Sequence, residues 1–193
     1  ARYLSLHDVR RAWERATRRA SLPLAYSRGF SPKPRLTFGP PLAVGAEGRE
    51  ECVVLSLREN LNPSEVRKRL SGTAVDGLSV GDVRSVPRRK FTTSWASYEI
   101  QLSESPSDLS DRIGGLLAAE SVVIQHKDRD GPRARRRDIR AGVLELHVAG
   151  SNLLTARLSL RDGTIVTPRD LSVALGVEVR HSVRTEIAIE LPE

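Results

Sequence analysis

Apolar residues in the N-terminal segment recur about every three to four positions, which is the period of an amphipathic helix. Ser5 and Asp8 stand at its start, at the spacing of a residue that caps free backbone N–H groups and an acid that completes a capping box. The pattern predicts a helix that starts near Ser5 and buries one stripe, made of Leu6, Val9, Trp13, Ala16 and Ala20.

Three further segments share one order of residues: cap, proline, any residue, acid, aliphatic. A polar first residue can accept hydrogen bonds from free backbone N–H groups, and proline is tolerated next because an N–H there would be unpaired anyway. The acid then favours the positive end of the helix dipole. We therefore expect three more helices to begin in residues 62–66, 105–109 and 167–171.

Segments rich in β-branched and aliphatic residues lie between these helices. Several alternate between apolar and polar positions, as half-buried strands do. The predicted strands are residues 1–4, 35–38, 51–57, 78–86, 95–102, 122–125, 143–148, 153–160 and 177–191.

The order of these elements predicts an α+β fold with two domains. It follows β-α-β-β-α-β over the N-terminal part, and the same order with one more strand over the C-terminal part. This is the pattern of tandem ferredoxin-like, or split βαβ, units. Helices should cover one face of each antiparallel sheet. We place the domains at residues 1–88 and 94–193, with a linker over residues 87–94.

The charge balance indicates an anionic partner. The chain has 193 residues, with 31 Lys and Arg against 24 Asp and Glu, which gives a formal net charge of +7. Most of the cations are arginines, whose forked guanidinium groups suit phosphates. Coding bias together with solubility is the alternative explanation of this composition.

The first predicted helix is basic on the side away from its apolar stripe, and it leads into a loop that combines cations with aromatic rings. Proteins hold single-stranded nucleic acid with these two features, through backbone charge and base stacking. The alternative is a solvated helix face with both rings packed into the core. The predicted binding residues are Arg11, Arg15, Arg18 and Arg19, with Arg10 at the flank, followed by Tyr26, Arg28, Phe30, Lys33 and Arg35.

A second basic cluster lies in residues 126–140, where Gly131 and Pro132 mark the turn of a long hairpin loop. A phosphate-bearing partner fits this cluster, and a solvated loop tip is the alternative. The predicted binding residues are Arg133, Arg135, Arg136, Arg137 and Arg140.

Catalytic candidates are few. His7 could act as a general base on a ribose hydroxyl, and Asp138 could act as a nucleophilic carboxylate or form a structural ion pair. The four histidines show no metal-type spacing and Cys52 stands alone, so no metal site is predicted. The sequence has no P-loop, dinucleotide-binding or iron–sulfur motif, and we predict no cofactor in this chain.

No apolar run approaches the roughly 20 residues that a membrane-spanning helix needs, and no signal peptide is recognisable. We therefore predict a cytoplasmic protein without a membrane partner. The sequence has no methionine, and its first residues already have a strand pattern, so we expect the chain to be a fragment of a longer protein.

Residues 2–51, RYLSLHDVRRAWERATRRASLPLAYSRGFSPKPRLTFGPPLAVGAEGREE, carry a long motif. On this motif the chain resembles the radical SAM-linked protein family, also called domain of unknown function 2344. It departs from the family pattern at two positions. The family has a histidine directly after the serine, whereas here Leu6 comes between Ser5 and His7, and Gly48 stands where a small hydroxyl residue is common. The later segment RRRDIRAGV is similar to a basic segment of the family. The matching positions are Arg2, Leu4, Ser5, Asp8, Glu14, Arg15, Arg18, Arg19, Leu22, Pro23, Tyr26, Ser27, Gly29, Phe30, Pro32, Pro34, Phe38, Pro41, Leu42, Gly45 and Glu51.

The resemblance implies association with a B12-binding radical SAM protein, because family members are fused to such a protein or encoded beside it, often near genes for ribosomal and RNA-processing proteins. We therefore expect a non-catalytic accessory module that binds RNA, such as tRNA or rRNA, or presents substrate to a radical SAM enzyme. Two alternatives stay open. One is an RNA-processing or RNA-modifying enzyme, endoribonuclease-like or pseudouridine synthase-like, and the other is a protein–protein adaptor.

Overall fold

The computed structural model describes residues 4–43, 45–73, 77–86, 91–127 and 134–190, with the backbone alone at residues 126, 127, 134 and 135. The chain divides into two compact units, unit 1 made of Ala1–Thr92 and Glu190–Glu193, and unit 2 made of Thr93–Ile189. The division falls inside the predicted linker, of which residues 87–90 lie outside the described part.

Both helices of unit 1 begin at caps that the sequence predicts. The Ser5 hydroxyl accepts a hydrogen bond from the Asp8 N–H at 3.3 Å, and the Asp8 carboxylate accepts one from the Ser5 N–H at 3.1 Å. Asn62 accepts a bond from the Ser64 N–H at 2.9 Å, and Pro63 takes the first helical position. The elements of unit 1 are α1 (Leu6–Arg19), β1 (Leu36–Phe38), β2 (Glu47–Gly48), β3 (Val53–Leu55) and α2 (Pro63–Ser71).

The core of unit 1 joins both helices to the β1–β3 ladder. The two strands pair antiparallel, with Thr37 opposite Val54. Trp13, Phe38 and other half-buried side chains pack against the buried set, which consists of Ala20, Leu22, Leu24, Leu36, Val66 and Leu70.

The buried face of α1 differs from the predicted stripe. Leu6 is 46% exposed, and the buried positions of the helix are Ala12, Ala16 and Thr17. Thr17 can be buried because its hydroxyl donates to the Trp13 carbonyl at 2.8 Å, so its polar group is satisfied within the helix. The predicted inclusion of Leu6 was therefore wrong.

The strand predicted over residues 78–86 is not formed; these residues are irregular. Val80 and Val83 from this segment pack against the core of unit 1. These valines are therefore apolar because they cover the core of unit 1, although their backbone pairs with no strand in the described residues. The strand predicted over residues 1–4 lies outside the described residues except for Leu4, which is irregular.

Unit 2 contains one sheet with the strand order β9-β4-β8-β7 and a separate β5–β6 hairpin. Antiparallel pairing joins β4 to β8, with Tyr98 opposite Ala156, and β7 to β8, with Leu146 opposite Ala156. The elements are β4 (Thr92–Leu102), α3 (Leu109–Ala118), β5 (Val123–Lys127), β6 (Ala134–Asp138), a 3₁₀ turn (Arg140–Gly142), β7 (Val143–Gly150), β8 (Leu153–Ser159), α4 (Pro168–Leu175) and β9 (Val179–Glu190).

The core of unit 2 is built on the strict alternation of β4, because successive side chains of a strand point to opposite faces. Ala96, Tyr98, Ile100 and Leu102 are all buried. They form one cluster with apolar side chains of the neighbouring strands and of α3 and α4, such as Leu109, Ile113, Leu116, Leu171 and Leu175. These arrangements confirm the predicted α+β class, with helices packed on antiparallel strands.

Helix α3 begins later than the sequence predicts. Ser105 was the expected cap, but the helix starts at Leu109, preceded by Asp108. The Leu109 N–H donates to the Pro106 carbonyl at 3.1 Å, which makes the intervening residues a turn. The Asp108 carboxylate accepts from Arg112 Nε at 2.9 Å instead of capping a backbone N–H. Ser105 is therefore not the cap of α3, and the helix begins after a turn.

Among the described glycines of unit 2, Gly142 is the one where an added methyl group should do most harm. A Cβ atom there would collide with the Thr164 carbonyl oxygen and with a methyl group of Val166. Gly142→Ala should therefore lower the free energy of unfolding by about 1–3 kcal/mol, as overpacking does. Urea unfolding followed by circular dichroism measures this change.

Gly114→Ala is the matched control, because its added Cβ would meet nothing within 4 Å on the exposed side of α3. It should raise the free energy of unfolding by about 0.5–1 kcal/mol, since alanine is the better helix former. Equal effects of the two substitutions would contradict the close approach at Gly142.

Candidate nucleic-acid interface

All five arginines of α1 are exposed, but two of them are engaged within unit 1. Arg10 Nη2 donates to the Leu36 carbonyl at 3.4 Å, and its guanidinium lies 5.7 Å from the centre of the Phe38 ring. Arg19 Nη2 donates to the Thr73 carbonyl at 2.7 Å. These two side chains bind α1 to the rest of its unit, so their contribution to a partner surface is reduced.

The other three arginines, Arg11, Arg15 and Arg18, form no hydrogen bond or ion pair with another residue of the described chain. They stand four and three residues apart, so they lie on one side of the helix and span about 10 Å along its axis. Glu14 is half-buried. It stands four residues before Arg18, a spacing that would allow an ion pair, but the two side chains form none in the described part of the chain. We call these three residues the arginine stripe.

A hairpin follows α1 and includes residues 25–35. The Arg35 N–H donates to the Ala25 carbonyl at 2.9 Å, and the Ser27 N–H donates to the Lys33 carbonyl at 2.9 Å. The Ser27 hydroxyl accepts from the Lys33 N–H at 2.9 Å. Gly29 at the turn has φ +132°, a value that favours glycine. These bonds hold residues 28–32 out from the unit as a short, fixed tip, which we call the hairpin tip.

The hairpin exposes its rings and its cations together. Phe30 is 110% exposed, which contradicts the alternative that buries this ring in the core. Tyr26 is 39% exposed, and the Arg58 guanidinium lies 5.5 Å from the centre of its ring. The predicted cations Arg28, Lys33 and Arg35 are exposed, and the hairpin contains no acid.

In the second predicted cluster, in unit 2, two of the three arginines whose side chains are described have structural partners. Arg137 Nη2 is paired with the carboxylate of Asp170, which is 2% exposed. The guanidinium of Arg140 donates to the Leu117 carbonyl at 2.7 Å and to the Val143 carbonyl at 3.0 Å. Arg136 is exposed. Of the other predicted residues, Arg133 lies outside the described part and the side chain of Arg135 is not described.

The two catalytic candidates, His7 and Asp138, lie in different units of the chain. His7 is exposed in the first turn of α1, and the hydrogen bonds from Ser5 hold the pKa of Asp8 beside it below the usual value. Asp138 accepts backbone N–H bonds from Val122 at 2.9 Å and Arg140 at 3.0 Å. The bond from the Arg140 backbone is the main reason that the pKa of Asp138 is lowered, and that from Val122 adds to it. Its contacts are those of a loop-fixing carboxylate.

Unit 1 has a small pocket that is lined mostly by apolar side chains. Its lining carries no titratable side chain and consists of Ala12, Trp13, Ala16, Leu70, Leu78, Ser79 and Val80. Across the described ranges, no group of three or more His, Cys, Asp and Glu side chains is placed to hold a metal ion. Within the same ranges, no helix has both the length and the apolar character to cross a bilayer.

Sequence reasoning missed Arg58. Its place over Tyr26 follows from a bridge between Leu24 and Leu57 and from the bond of the Arg58 N–H to the Pro23 carbonyl at 2.8 Å. Both are contacts between segments more than 30 residues apart in the chain. The sequence around Arg58 does not predict these contacts, because the residues that follow it have the composition of a polar loop.

These features define an α+β protein whose N-terminal unit presents a basic helix and a hairpin with an exposed ring. A family model described as "Uncharacterized protein conserved in bacteria (DUF2344)" matches residues 1–168. The chain therefore belongs to the DUF2344 family, as its N-terminal motif predicts.

Other comparisons are more distant. No curated protein matches the chain. Among solved structures, a chain of "Crystal Structure of a Cbf5-Nop10-Gar1 Complex" is similar at 15% identity with a TM-score of 0.42. The match covers 97% of this chain and 46% of that one, so this chain spans less than half of the other's length.

The bonds to Asp138 predict a pH-dependent stabilisation. Asp138→Asn should lower the melting temperature at pH 7, because a neutral amide is a weaker acceptor than a carboxylate. The pKa of Asp138 is lowered from 3.8 in the folded chain, so its stabilisation is complete above that pH and is lost as the pH falls through the folded pKa. The difference between the two melting temperatures should therefore shrink at pH 3 and below.

Asp162→Asn is the control, because Asp162 is exposed at a turn in the same unit. It should leave the melting temperature near that of the wild type at both pH values. A constant difference between Asp138→Asn and wild type from pH 7 to pH 2 would contradict the role of the ionised carboxylate.

Proposed function

We propose that this chain is a non-catalytic RNA-binding or substrate-presenting accessory module of a B12-binding radical SAM enzyme in the cytoplasm. Its RNA is tRNA or rRNA, and the arginine stripe is the main contact with the phosphate backbone. The observation that supports this most directly is that three exposed arginines on one side of α1 form no hydrogen bond or ion pair with another described residue. The link to a radical SAM enzyme rests on the family resemblance.

Charge is the physical basis of the RNA contact. Arginine stays ionised at any physiological pH and matches phosphate with paired donors. Each phosphate that it neutralises releases condensed counterions, which favours binding at low salt. The arginine stripe and the acid-free hairpin lie in the same unit and are separated by only a few residues in the chain.

The strand order of unit 2 supports the finer assignment of that unit as a ferredoxin-like fold. Helix α3 connects β4 to β7, and helix α4 connects β8 to β9. In the sheet, β8 lies between β4 and β7, and β4 lies between β8 and β9. That is the meaning of a split βαβ unit. The β5–β6 hairpin is then an insertion between α3 and β7. We make this assignment for unit 2 only.

Neutralising the stripe should weaken RNA binding and flatten its salt dependence. The triple variant Arg11→Gln, Arg15→Gln, Arg18→Gln should bind bulk tRNA about tenfold more weakly or worse near physiological salt. The slope of log affinity against log salt should fall in magnitude by about 2–3, from about 0.7–0.9 for each of the three lost phosphate contacts. Fluorescence anisotropy at several salt concentrations measures both quantities.

The control variant removes the same charge elsewhere. Arg84, Arg169 and Arg180 are exposed and make no hydrogen bond or ion pair with the described residues. Their triple change to Gln should reduce affinity much less than the stripe variant does. If both triples weaken binding equally, net charge explains the binding and the stripe has no special role.

The partner half of the proposal is tested by retrieving the tagged protein from a native cytoplasmic extract, with and without nuclease. We expect a radical SAM protein and RNA together in the untreated sample. RNA should be lost from the stripe variant, and the enzyme should remain with it. Retention of an enzyme partner with no RNA in any sample would favour the protein–protein adaptor, while cleaved or modified RNA from the purified chain alone would favour an RNA enzyme.

A further inference from the structure

Phe30 has an environment that folding alone does not explain. Burying a phenylalanine side chain stabilises a protein, yet this ring is 110% exposed. Leu22 and Leu24, a few residues earlier, are buried in the core of unit 1. Apolar burial is therefore available nearby, and the ring does not take part in it.

The backbone of the hairpin keeps the ring outside. The paired bonds between Ser27 and Lys33 close the hairpin directly below its tip. Pro32 and Pro34 fix two φ angles, and Gly29 adopts φ +132°. A tip held in this way does not fold back on the core, so a partner has to come to the ring.

The charges around the ring indicate the class of that partner. Arg28 precedes Phe30 in the chain, and Lys33 and Arg35 follow it. No acid occurs in residues 22–45. A ring between cations matches a polymer in which flat bases lie beside phosphates, because stacking and phosphate contacts are then made together. An apolar pocket on a protein would not need three cations.

We propose that Phe30 stacks on an unpaired RNA base while Arg28 and Lys33 contact the neighbouring phosphates. This inference rests on the proposed RNA-binding function and adds the state of the ligand, which is single-stranded or locally unpaired. Bases inside a duplex are covered on both faces by their neighbours. Unpaired bases present a free face that aromatic side chains stack on.

The test compares ring substitutions on single-stranded and duplex probes. The probes are a labelled single-stranded RNA of about 12 nucleotides, which is within the usual site size, and the same strand in a perfect duplex. Phe30→Ala should weaken binding of the single strand by about 5- to 150-fold, the range measured for loss of one stacked base. Binding of the duplex should change far less.

Two further substitutions separate stacking from general apolar contact. Phe30→Leu keeps an apolar side chain without a π face and should lose as much affinity as Phe30→Ala. Phe30→Trp should retain the affinity, and its added fluorescence, measured against that of the two natural tryptophans, should be quenched by the single strand. Full binding by the leucine variant would overturn the stacking role.

The outcomes distinguish the two proposals. If the stripe variant loses RNA but Phe30→Ala binds like the wild type, RNA binding stands and stacking is wrong. If the wild type binds neither probe, the proposed function itself fails. If Phe30→Ala binds RNA normally but loses a partner protein that survives nuclease treatment, the tip is a protein contact and the stacking proposal is overturned. All variants should fold, because the ring is outside the core.

Discussion

The structure depends on arginine side chains that donate to backbone carbonyls at the ends of its elements. The last carbonyls of a helix have no partner within the helix. Arg112 Nη1 donates to the Leu175 carbonyl at the end of α4, at 2.9 Å, and Arg140 donates to the Leu117 carbonyl near the end of α3. In unit 1, Arg19 makes a similar bond to the Thr73 carbonyl just after α2. A chain whose cations are mostly arginine can close its helix ends in this way.

This use of arginine also decides which positive charges remain for a partner. A guanidinium that already donates to carbonyls or pairs with a buried carboxylate must give up those bonds before it can bind phosphate. Arg137 and Arg140 are in that position, although their sequence cluster is the denser one. Arg15 and Arg18 of the stripe are not. Density of charge in the sequence therefore does not indicate which guanidinium groups already have partners within the fold.

The parts of the fold that local chemistry controls could be predicted, and those that depend on distant contacts could not. The capping boxes at Ser5 and Thr167 involve residues three apart, and both are formed. The start of α3 was missed because the residues after Ser105 form a turn, closed by the bond from the Leu109 N–H to the Pro106 carbonyl, before the helix begins. The segment 78–86 has the composition of a strand, but packing without pairing cannot be distinguished from pairing by pattern alone.

The candidate site shows the same division. Exposure of the α1 arginines follows from helical period, whereas the engagement of Arg10 and Arg19 depends on residues 26 and 54 positions away. The prolines and glycines of residues 22–45 predict a stiff, turning backbone, and that backbone would form with almost any side chain at position 30. The hydrogen bonds of the hairpin involve Ala25, Ser27, Lys33 and Arg35 and none involves Phe30. Neither the core nor the described hydrogen bonds of the hairpin use this ring, and its exposure at the tip is the observation on which the proposed stacking contact rests.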